Sequence, residues 1–151
     1  MSGIGPYLQA DHRYCESLFA LIEPLAADGQ WSRAEQARCA FAISLEHHLQ
    51  REERVLFPAI EEAQGGPVGL IAEAHEEHAR MRDRLRQLAA AISVRDLNKL
   101  STAARALQAA LDQHNVHEES VLYPLAEQML DDRAGDLVQA MEGQRALAGG
   151  R

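Results

Sequence analysis

The sequence predicts an all-α protein, and three observations lead to that fold class. Ala, Leu, Glu, Gln and Arg are abundant while β-branched residues are few, which is the composition of helices. Between Leu70 and Ala134 there is no Gly and only one Pro, Pro124. Apolar residues recur at spacings of three and four in each long segment, the period of a helix with one buried face. The length of 151 residues favours a single domain over residues 1–151.

Turn signals divide the chain into four long helices and one short helix. Because the connections are short, consecutive helices are expected to be antiparallel, so the sequence predicts an up-down-up-down four-helix bundle over about residues 7–131. The predicted elements are a first helix from about Tyr7 to Ala27, a second from a capping box at Ser32 and Glu35 to about Gln64, a third from after Gly65-Gly66-Pro67 to about Ile92, a fourth from the turn at Ser93–Asp96 to about Asp131, and a short C-terminal helix at about 136–147.

Charge and cysteine content exclude several classes of function. Lys and Arg number 15 against 23 Asp and Glu, giving a formal net charge of −8. The arginines between Arg80 and Arg86 spread around a helix among acidic residues, so we expect no nucleic-acid partner. Two cysteines make a poor disulfide framework, and neither a signal peptide nor an apolar segment long enough for a membrane span is visible. We therefore expect a cytoplasmic protein without a membrane partner, either a monomer or a homodimer.

Polar residues interrupt the apolar face of every long helix. The interruptions are His in each case, with Glu added on the second and fourth helices. The residues on the predicted buried faces are His12, His48, Glu52, His75, His78, His114 and Glu118.

The two halves of the chain repeat each other at an offset of 66 residues. The motif His48-x-x-x-Glu52-Glu53-x-Val55-Leu56-Phe57-Pro58 returns as His114-x-x-x-Glu118-Glu119-x-Val121-Leu122-Tyr123-Pro124. The same offset relates His12 to His78. The sequence thus predicts two helical hairpins related by an approximate twofold axis. Pro58 and Pro124 lie inside helices and should kink them.

Buried imidazole and carboxylate groups at this spacing indicate metal binding. Residues four apart on a helix project from one face, so His48 with Glu52, and His114 with Glu118, each present two ligands together. Unpaired buried carboxylates cost several kcal/mol, and a pair of divalent cations removes that cost. Mixed His and carboxylate ligands inside a helical bundle are typical of iron or manganese pairs, whereas no set of cysteines supports an iron–sulfur cluster.

The whole set of motifs resembles the hemerythrin-like, HHE cation-binding domains over roughly Leu8 to Met129. That resemblance implies an antiparallel four-helix bundle with a non-haem di-iron centre, whose two ions are joined by an oxo or hydroxo bridge, with manganese or zinc as the less expected metals. It also implies that Glu52 and Glu118 bridge the two ions and that histidines are terminal ligands. Oxygen-carrying hemerythrins have His-x-x-x-His on the third helix, and the upstream His would fall on Ala74 here. His75 is the candidate replacement ligand.

Three functions stay open at this point. The first is a protein that binds or handles oxygen, nitric oxide or iron, the second is a di-iron enzyme of the peroxidase, oxidase or nitric oxide reductase type, and the third is a metal-storage or structural bundle. We favour the binding protein, with a small diatomic molecule or peroxide as its partner. The sequence indicates no organic substrate. Glu53 and Glu119 are expected on a solvated face or in an ion pair between helices, and Cys15 is expected to be a small core residue.

Overall fold

The computed structural model describes residues 3–149, and the side chains of residues 3–144. Within that range the chain is helical and contains no strand. The helices are α1 (Ile4–Phe19), α2 (Ile22–Ala27), α3 (Trp31–Arg51), α4 (Phe57–Gln64), α5 (Gly69–Ser93), α6 (Leu97–His117), α7 (Tyr123–Leu130) and α8 (Ala134–Gly149). The all-α four-helix bundle predicted from the sequence is confirmed. None of the helices in the described range is long and apolar enough to cross a membrane.

The four long rods of the bundle are α1 with α2, α3 with α4, α5, and α6 with α7. Contacts between α5 and α6, between α1 and α3, and between α3 and α5 hold successive rods side by side. Gly65, with φ of 87°, ends α4 in the left-handed conformation, and its amide donates to Glu61 O at 2.9 Å. Asp96 caps α6 by accepting from the amides of Asn98 and Lys99 at 2.9 and 3.1 Å.

The first predicted helix is broken, which corrects the single helix expected from Tyr7 to Ala27. Helix α1 ends at Phe19 and α2 begins at Ile22. Pro24 explains the break, because a proline has no amide proton to donate to the carbonyl of Ala20 and its ring crowds that carbonyl. The break still allows Ile22 and Ala26 to be buried.

The capping box expected at Ser32 and Glu35 is wrong. Helix α3 already begins at Trp31, no side chain caps its first turn, and Ser32 is exposed within the helix. Glu35 instead accepts hydrogen bonds from Arg38 at 2.6 and 2.8 Å. Gly29, with φ of 77°, turns the chain just before the helix, so that Trp31 packs against the core.

Two π-helical turns join the halves of the second and fourth rods. They span Glu52–Leu56 and Glu118–Leu122 and replace the simple kinks predicted at Pro58 and Pro124. The amide of Phe57 donates to Glu52 O, five residues back, and the amide of Tyr123 donates to Glu118 O in the same way. The wider turn accommodates the proline that follows, and such turns are frequent at functional sites.

The apolar core is divided into two clusters along the bundle. One cluster lies toward the α5–α6 connection and includes Phe41, Met81 and Leu107. The other lies toward the π turns and includes Ile4, Phe57, Ile60, Tyr123 and Met141. The buried His and Glu residues lie between these clusters.

Helix α8 covers one face of the bundle. It packs against α1, α3 and the first π turn, and it buries Leu137 and Met141 completely or nearly so. The opposite face, between α5 and α6, has no equivalent cover among the described residues. The C-terminal helix therefore makes the two halves of the bundle different.

Candidate metal centre

Four rods each bring one buried histidine to the same level of the bundle. His12, His48, His78 and His114 are at most 3 % exposed, and the two glutamates beside them, Glu52 and Glu118, are at most 1 % exposed. Each histidine directs Nε2 inward and Nδ1 outward. The carboxylates of Glu52 and Glu118 lie between the two pairs of histidines.

The ligand atoms form two groups that share both carboxylates. The first group is His12, His48, Glu52 and Glu118, and the second is Glu52, His78, His114 and Glu118; within each group the ligand atoms all lie within 4.8 Å of one another. Two ligand groups with two carboxylates in common have the composition that a dinuclear site in a helical bundle requires. The structure thus brings together six of the seven sequence-predicted ligands.

Distances within the first group show how closely the ligand atoms converge. His12 Nε2 lies 3.0 Å from His48 Nε2 and 3.0 Å from Glu118 Oε1. His48 Nε2 lies 3.4 Å from Glu52 Oε2. Two imidazole nitrogens at such a distance attract each other only if a proton or a metal ion lies between them. The convergence of the ligand atoms therefore fits a metal ion.

The second group has the same character. His78 Nε2 lies 2.9 Å from Glu52 Oε1, and His114 Nε2 lies 3.0 Å from Glu118 Oε1. Among the described residues, His114 Nε2 and Glu118 Oε2 are buried atoms without a hydrogen-bond partner. Buried polar atoms rarely stay unsatisfied, so the donor set fits a bound cation.

A second layer of carboxylates holds the outward nitrogen of every one of these histidines. Glu119 lies 2.6 Å from His12 Nδ1 and Glu53 lies 2.7 Å from His78 Nδ1. A carboxylate on Nδ1 fixes the tautomer that leaves Nε2 free for a metal and raises the basicity of the ring. Glu53 and Glu119 therefore form the expected ion pairs between helices, Glu119 is also exposed as expected, and through these pairs both residues support a histidine.

Asp11 and Glu77 perform the same role for the other two histidines. Asp11 lies 3.1 Å from His48 Nδ1, and Glu77 lies 2.8 Å from His114 Nδ1. Sequence reasoning missed both residues, although the 66-residue offset that relates the ligands also relates Asp11 to Glu77. That offset was the signal that could have found them.

The repeat extends one contact further, but with different side chains. Arg51 donates to Asp11, and His117, 66 residues later, lies 2.7 Å from Glu77 through Nδ1. His117 therefore lies in the second layer of the site and not among the candidate ligands. The carboxylates Glu53 and Glu119 also differ in their surroundings. Arg82 donates to Glu53 at 2.8 Å, whereas the residue 66 positions before Arg82 is Glu16.

Tyr123 places a hydroxyl group between the two shared carboxylates. Its oxygen lies 2.6 Å from Glu52 Oε2 and 2.7 Å from Glu118 Oε1, and the residue is fully buried. Burial raises the pKa of the Tyr123 phenol well above its usual range, and the two carboxylates raise it further. The phenol therefore stays protonated and donates to these carboxylates.

The charges of the cluster stabilise each other. Burial lowers the pKa of His48 and His114, but the facing carboxylates outweigh it and hold both pKa values well above the usual range. Burial raises the pKa of Glu53, but the hydrogen bonds from His78 and Arg82 outweigh it and lower that pKa to about 2. Glu53 is thus ionised at neutral pH, and His48 and His114 are held in their charged form by the carboxylates that face them.

His75 is the one candidate ligand that the structure does not place in the cluster. Its side chain is exposed, and its ring packs edge-on against Phe57 at a centroid distance of 5.2 Å. It does not belong to either group of ligand atoms. The three-residue spacing to His78 had suggested a shared buried face, but His75 turns toward the edge of the helix and reaches solvent.

Cys15 is buried beside the histidines, as expected for a core residue. Its thiol lies 3.3 Å from Ser44 Oγ, and burial raises its pKa. Both cysteines of the chain, Cys15 and Cys39, are free.

The fold and the site together define a four-helix bundle with two overlapping groups of buried His and Glu residues that could hold metal ions. Residues 5–126 match the family of the hemerythrin HHE cation-binding domain. Because that match covers most of the chain, the chain belongs to this family. Comparisons with curated proteins and with solved structures gave no match.

Proposed function

We propose that this protein holds two iron ions in the cluster and that the loaded centre binds a small oxygen- or nitrogen-containing molecule: oxygen, nitric oxide or peroxide. The observation that carries the proposal is the pair of ligand groups sharing Glu52 and Glu118. The ligands would be His12 and His48 on one ion, and His78 and His114 on the other, with the two glutamates between the ions. The bound ions would supply the redox chemistry and an open coordination position.

Iron is favoured over the other candidate metals by the ligand types. Four neutral imidazoles and two carboxylates suit iron or manganese better than a closed structural zinc site, which prefers four ligands and often thiolates. Two shared carboxylates also favour a pair of ions over a single one. The free cysteines support a reducing compartment, and we propose the cytoplasm.

The protein's own residues prepare the site for such a ligand. The outer carboxylates fix each imidazole in position before the metal arrives, which reduces the rearrangement needed on binding. Tyr123 supplies a hydroxyl donor inside the site. The apolar clusters on both sides exclude water and thereby limit uncontrolled reactions of a bound molecule.

The test is metal stoichiometry combined with optical spectroscopy. Metal-free protein is loaded with ferrous iron without air, passed through a desalting column and analysed for iron; we expect two ions per chain. Exposure to oxygen, anaerobic reduction and a second exposure should then show an oxo-bridged di-ferric absorption band that reappears.

Two results would contradict the proposal. One is folded, reconstituted protein that retains only trace metal, and the other is a single tightly held zinc ion. A band that forms once, with peroxide consumed and no return to the starting spectrum, would instead support the di-iron enzyme. Stable iron without any response to oxygen, nitric oxide or peroxide would support storage.

A further inference from the structure

Two depressions lie between α5 and α6 on the outer side of the bundle, and they have opposite charge. The depression near the α5–α6 connection has a volume of about 600 Å³ and contains Arg84 and Lys99 but, among the described residues, no Asp or Glu. The depression near the second π turn has a volume of about 220 Å³ and contains Glu73 and Glu77 but, over the same range, no Lys or Arg. We call them the basic depression and the acidic depression.

Both depressions belong to one face of the helix pair. On α5, positions 73, 77, 80, 84 and 87 follow each other at intervals of three and four, which is the spacing of one helix face. On α6, positions 102, 106, 110, 113 and 117 do the same. The basic and acidic depressions therefore lie in line along this surface, which we call the α5–α6 face.

The sequence separates charge in the same way. Residues 80–106 contain seven Lys or Arg and two Asp, although the formal net charge of the whole chain is −8. Residues 61–77 contain five Glu and no Lys or Arg. Within the described range, Arg84, Lys99 and Glu73 take part in no ion pair with other residues of the chain. These three charges of the α5–α6 face are thus available to a partner.

The fold buries the counterpart of this face in the first half of the molecule. Ile4, which stands 66 residues before Leu70, is fully buried in a cluster with Leu137 and Met141 of α8. Leu70 itself is 37 % exposed, and Val121 is 47 % exposed. The bundle is therefore closed on the α8 side, whereas apolar side chains of the α5–α6 face are exposed beside the charged groups. Exposed apolar side chains of this kind mark interaction sites when they lie together.

A second copy of the same chain fits the α5–α6 face. Glu73 and Arg84 lie about 16 Å apart along α5. A twofold axis midway between them, perpendicular to the helix, would place Arg84 of each copy opposite Glu73 of the other. It would also place Leu70 of each copy over the basic depression of the other, whose lining includes the small side chains of Ala91 and Ala103. One surface thus complements itself, as a twofold interface requires.

The size of the face is sufficient for a dimer. Helix α5 has 25 residues, so the α5–α6 face is about 37 Å long and, with two packed helices, about 20 Å wide. Its area is on the order of 700 Å². A standard-size interface buries roughly 800 Å² of each partner, so the face as a whole is large enough for a stable dimer.

We propose that the chain forms a homodimer through the α5–α6 face, with α5 of one copy antiparallel to α5 of the other. Two symmetry-related pairs of Arg84 and Glu73 attract each other, and Leu70 and Val121 supply apolar contact. The proposal goes beyond the metal centre and does not rest on the proposed function. In the dimer the acidic depression, which Glu118 also lines, becomes covered.

The test is analytical ultracentrifugation of the full-length protein over a range of concentrations, with and without bound iron. We expect an equilibrium between monomer and dimer and no larger species, because a twofold interface closes on itself. We also expect the dissociation constant to rise when the salt concentration is raised from about 0.05 to about 0.5 M, since salt screens exposed charges.

Charge reversal distinguishes this interface from any other. Arg84→Glu places like charges at both symmetry-related pairs, and so does Glu73→Arg. We expect each variant alone to raise the dissociation constant at least about tenfold. An equimolar mixture of the two variants should dimerise again, because every pair then joins a carboxylate to a guanidinium group.

Two exposed positions outside the α5–α6 face provide matched controls. Arg86→Glu makes the same charge change on another side of α5, and Glu142→Arg makes the opposite change on α8. Both controls should dimerise like the parent protein. Circular dichroism and thermal unfolding establish that every variant is folded, and each of the two reversals tests the interface without the other.

Three results would overturn the inference. They are a monomer at every concentration, which would leave the α5–α6 face to a different protein, a dimer that neither reversal weakens, and a mixture of the two folded variants that stays monomeric. A monomer that takes up two irons would leave the proposed function intact. A dimer that takes up no metal would refute the proposed function alone.

Discussion

Tyr123 in the second half of the molecule is the counterpart of Phe57 in the first half. The two side chains differ only in the hydroxyl group of Tyr123. The Phe57 ring stacks on His78 with a centroid distance of 5.5 Å, and the Tyr123 ring stacks on His12 at 5.7 Å. Both residues support a histidine, but only Tyr123 also donates a hydrogen bond into the cluster. One phenol proton thus lies between two buried carboxylates.

Tyr123→Phe should destabilise the metal-free protein without changing its fold. The equivalent position already holds Phe, so the ring fits, whereas Glu52 and Glu118 lose a donor. A hydrogen bond to a charged group contributes about 1.5–3 kcal/mol, and we expect the free energy of unfolding in urea to fall by about that amount. Metal-loaded protein should lose less, because cations then compensate the carboxylates.

Tyr14→Phe is the control, because Tyr14 is 54 % exposed. An unchanged urea midpoint for metal-free Tyr123→Phe would mean that its hydroxyl contributes nothing to the cluster.

Glu77→Gln and Asp11→Asn should each weaken metal binding while leaving all direct ligands in place. Each substitution removes the carboxylate that holds the Nδ1 atom of a histidine, His114 or His48 respectively. Loss of such a contact typically costs about 10–100-fold in metal affinity. Competition with a chelator measures the change, and Glu76→Gln, exposed on the same helix, should show none. If both variants bound metal with the affinity of the parent protein, Glu77 and Asp11 would not contribute to metal binding.

Most of the fold and the six buried His and Glu residues of the cluster could be predicted from the sequence. Turn signals located the ends of the long helices, and the repeat identified His12, His48, His78 and His114 with both shared glutamates. The π turns could not be predicted, because a proline indicates a local irregularity but not its hydrogen-bond pattern. The break between α1 and α2 has a sequence signal, Pro24, which is incompatible with an uninterrupted helix from Tyr7 to Ala27.

The outer layer was harder to predict for a physical reason. Asp11 and Glu77 each precede a ligand histidine by one residue on the same helix but support a histidine of another helix. Only the packing of the rods brings these groups together. The same holds for the exposed position of His75, which depends on how far α5 rotates about its axis.

Glu52→Ala and Glu118→Ala should each reduce occupancy of both metal positions, because each carboxylate belongs to both ligand groups. Glu53→Ala and Glu119→Ala remove only the support of one histidine each, so two ions should still bind at saturation, with lower affinity. Elemental analysis at saturating iron separates these cases. Equal losses from all four substitutions would show that the two layers have been assigned incorrectly.

His78→Ala should abolish one metal position, whereas His75→Ala should leave the stoichiometry at the parent value. His78 Nε2 lies 2.9 Å from Glu52 Oε1, whereas His75 is exposed and outside both ligand groups. Iron content and the optical band of the two variants provide the measurement. Loss of iron from His75→Ala, with full loading of His78→Ala, would reverse the assignment on α5.

Met141→Ala should destabilise the protein more than its place on the last helix suggests. Met141 is fully buried and belongs to the apolar cluster that covers one side of the metal site, together with Ile4 and Leu8. Truncation of a buried Met to Ala costs about 2–5 kcal/mol, through lost transfer energy and a residual cavity. Urea unfolding of metal-free protein is the appropriate measurement, because bound metal adds its own stabilisation to the folded state. Gln139→Ala, at an exposed position of α8, should change the unfolding free energy by less than about 0.5 kcal/mol. If Met141→Ala behaved like Gln139→Ala, α8 would not be part of the folded core, and the closed side of the site would have to be covered in another way.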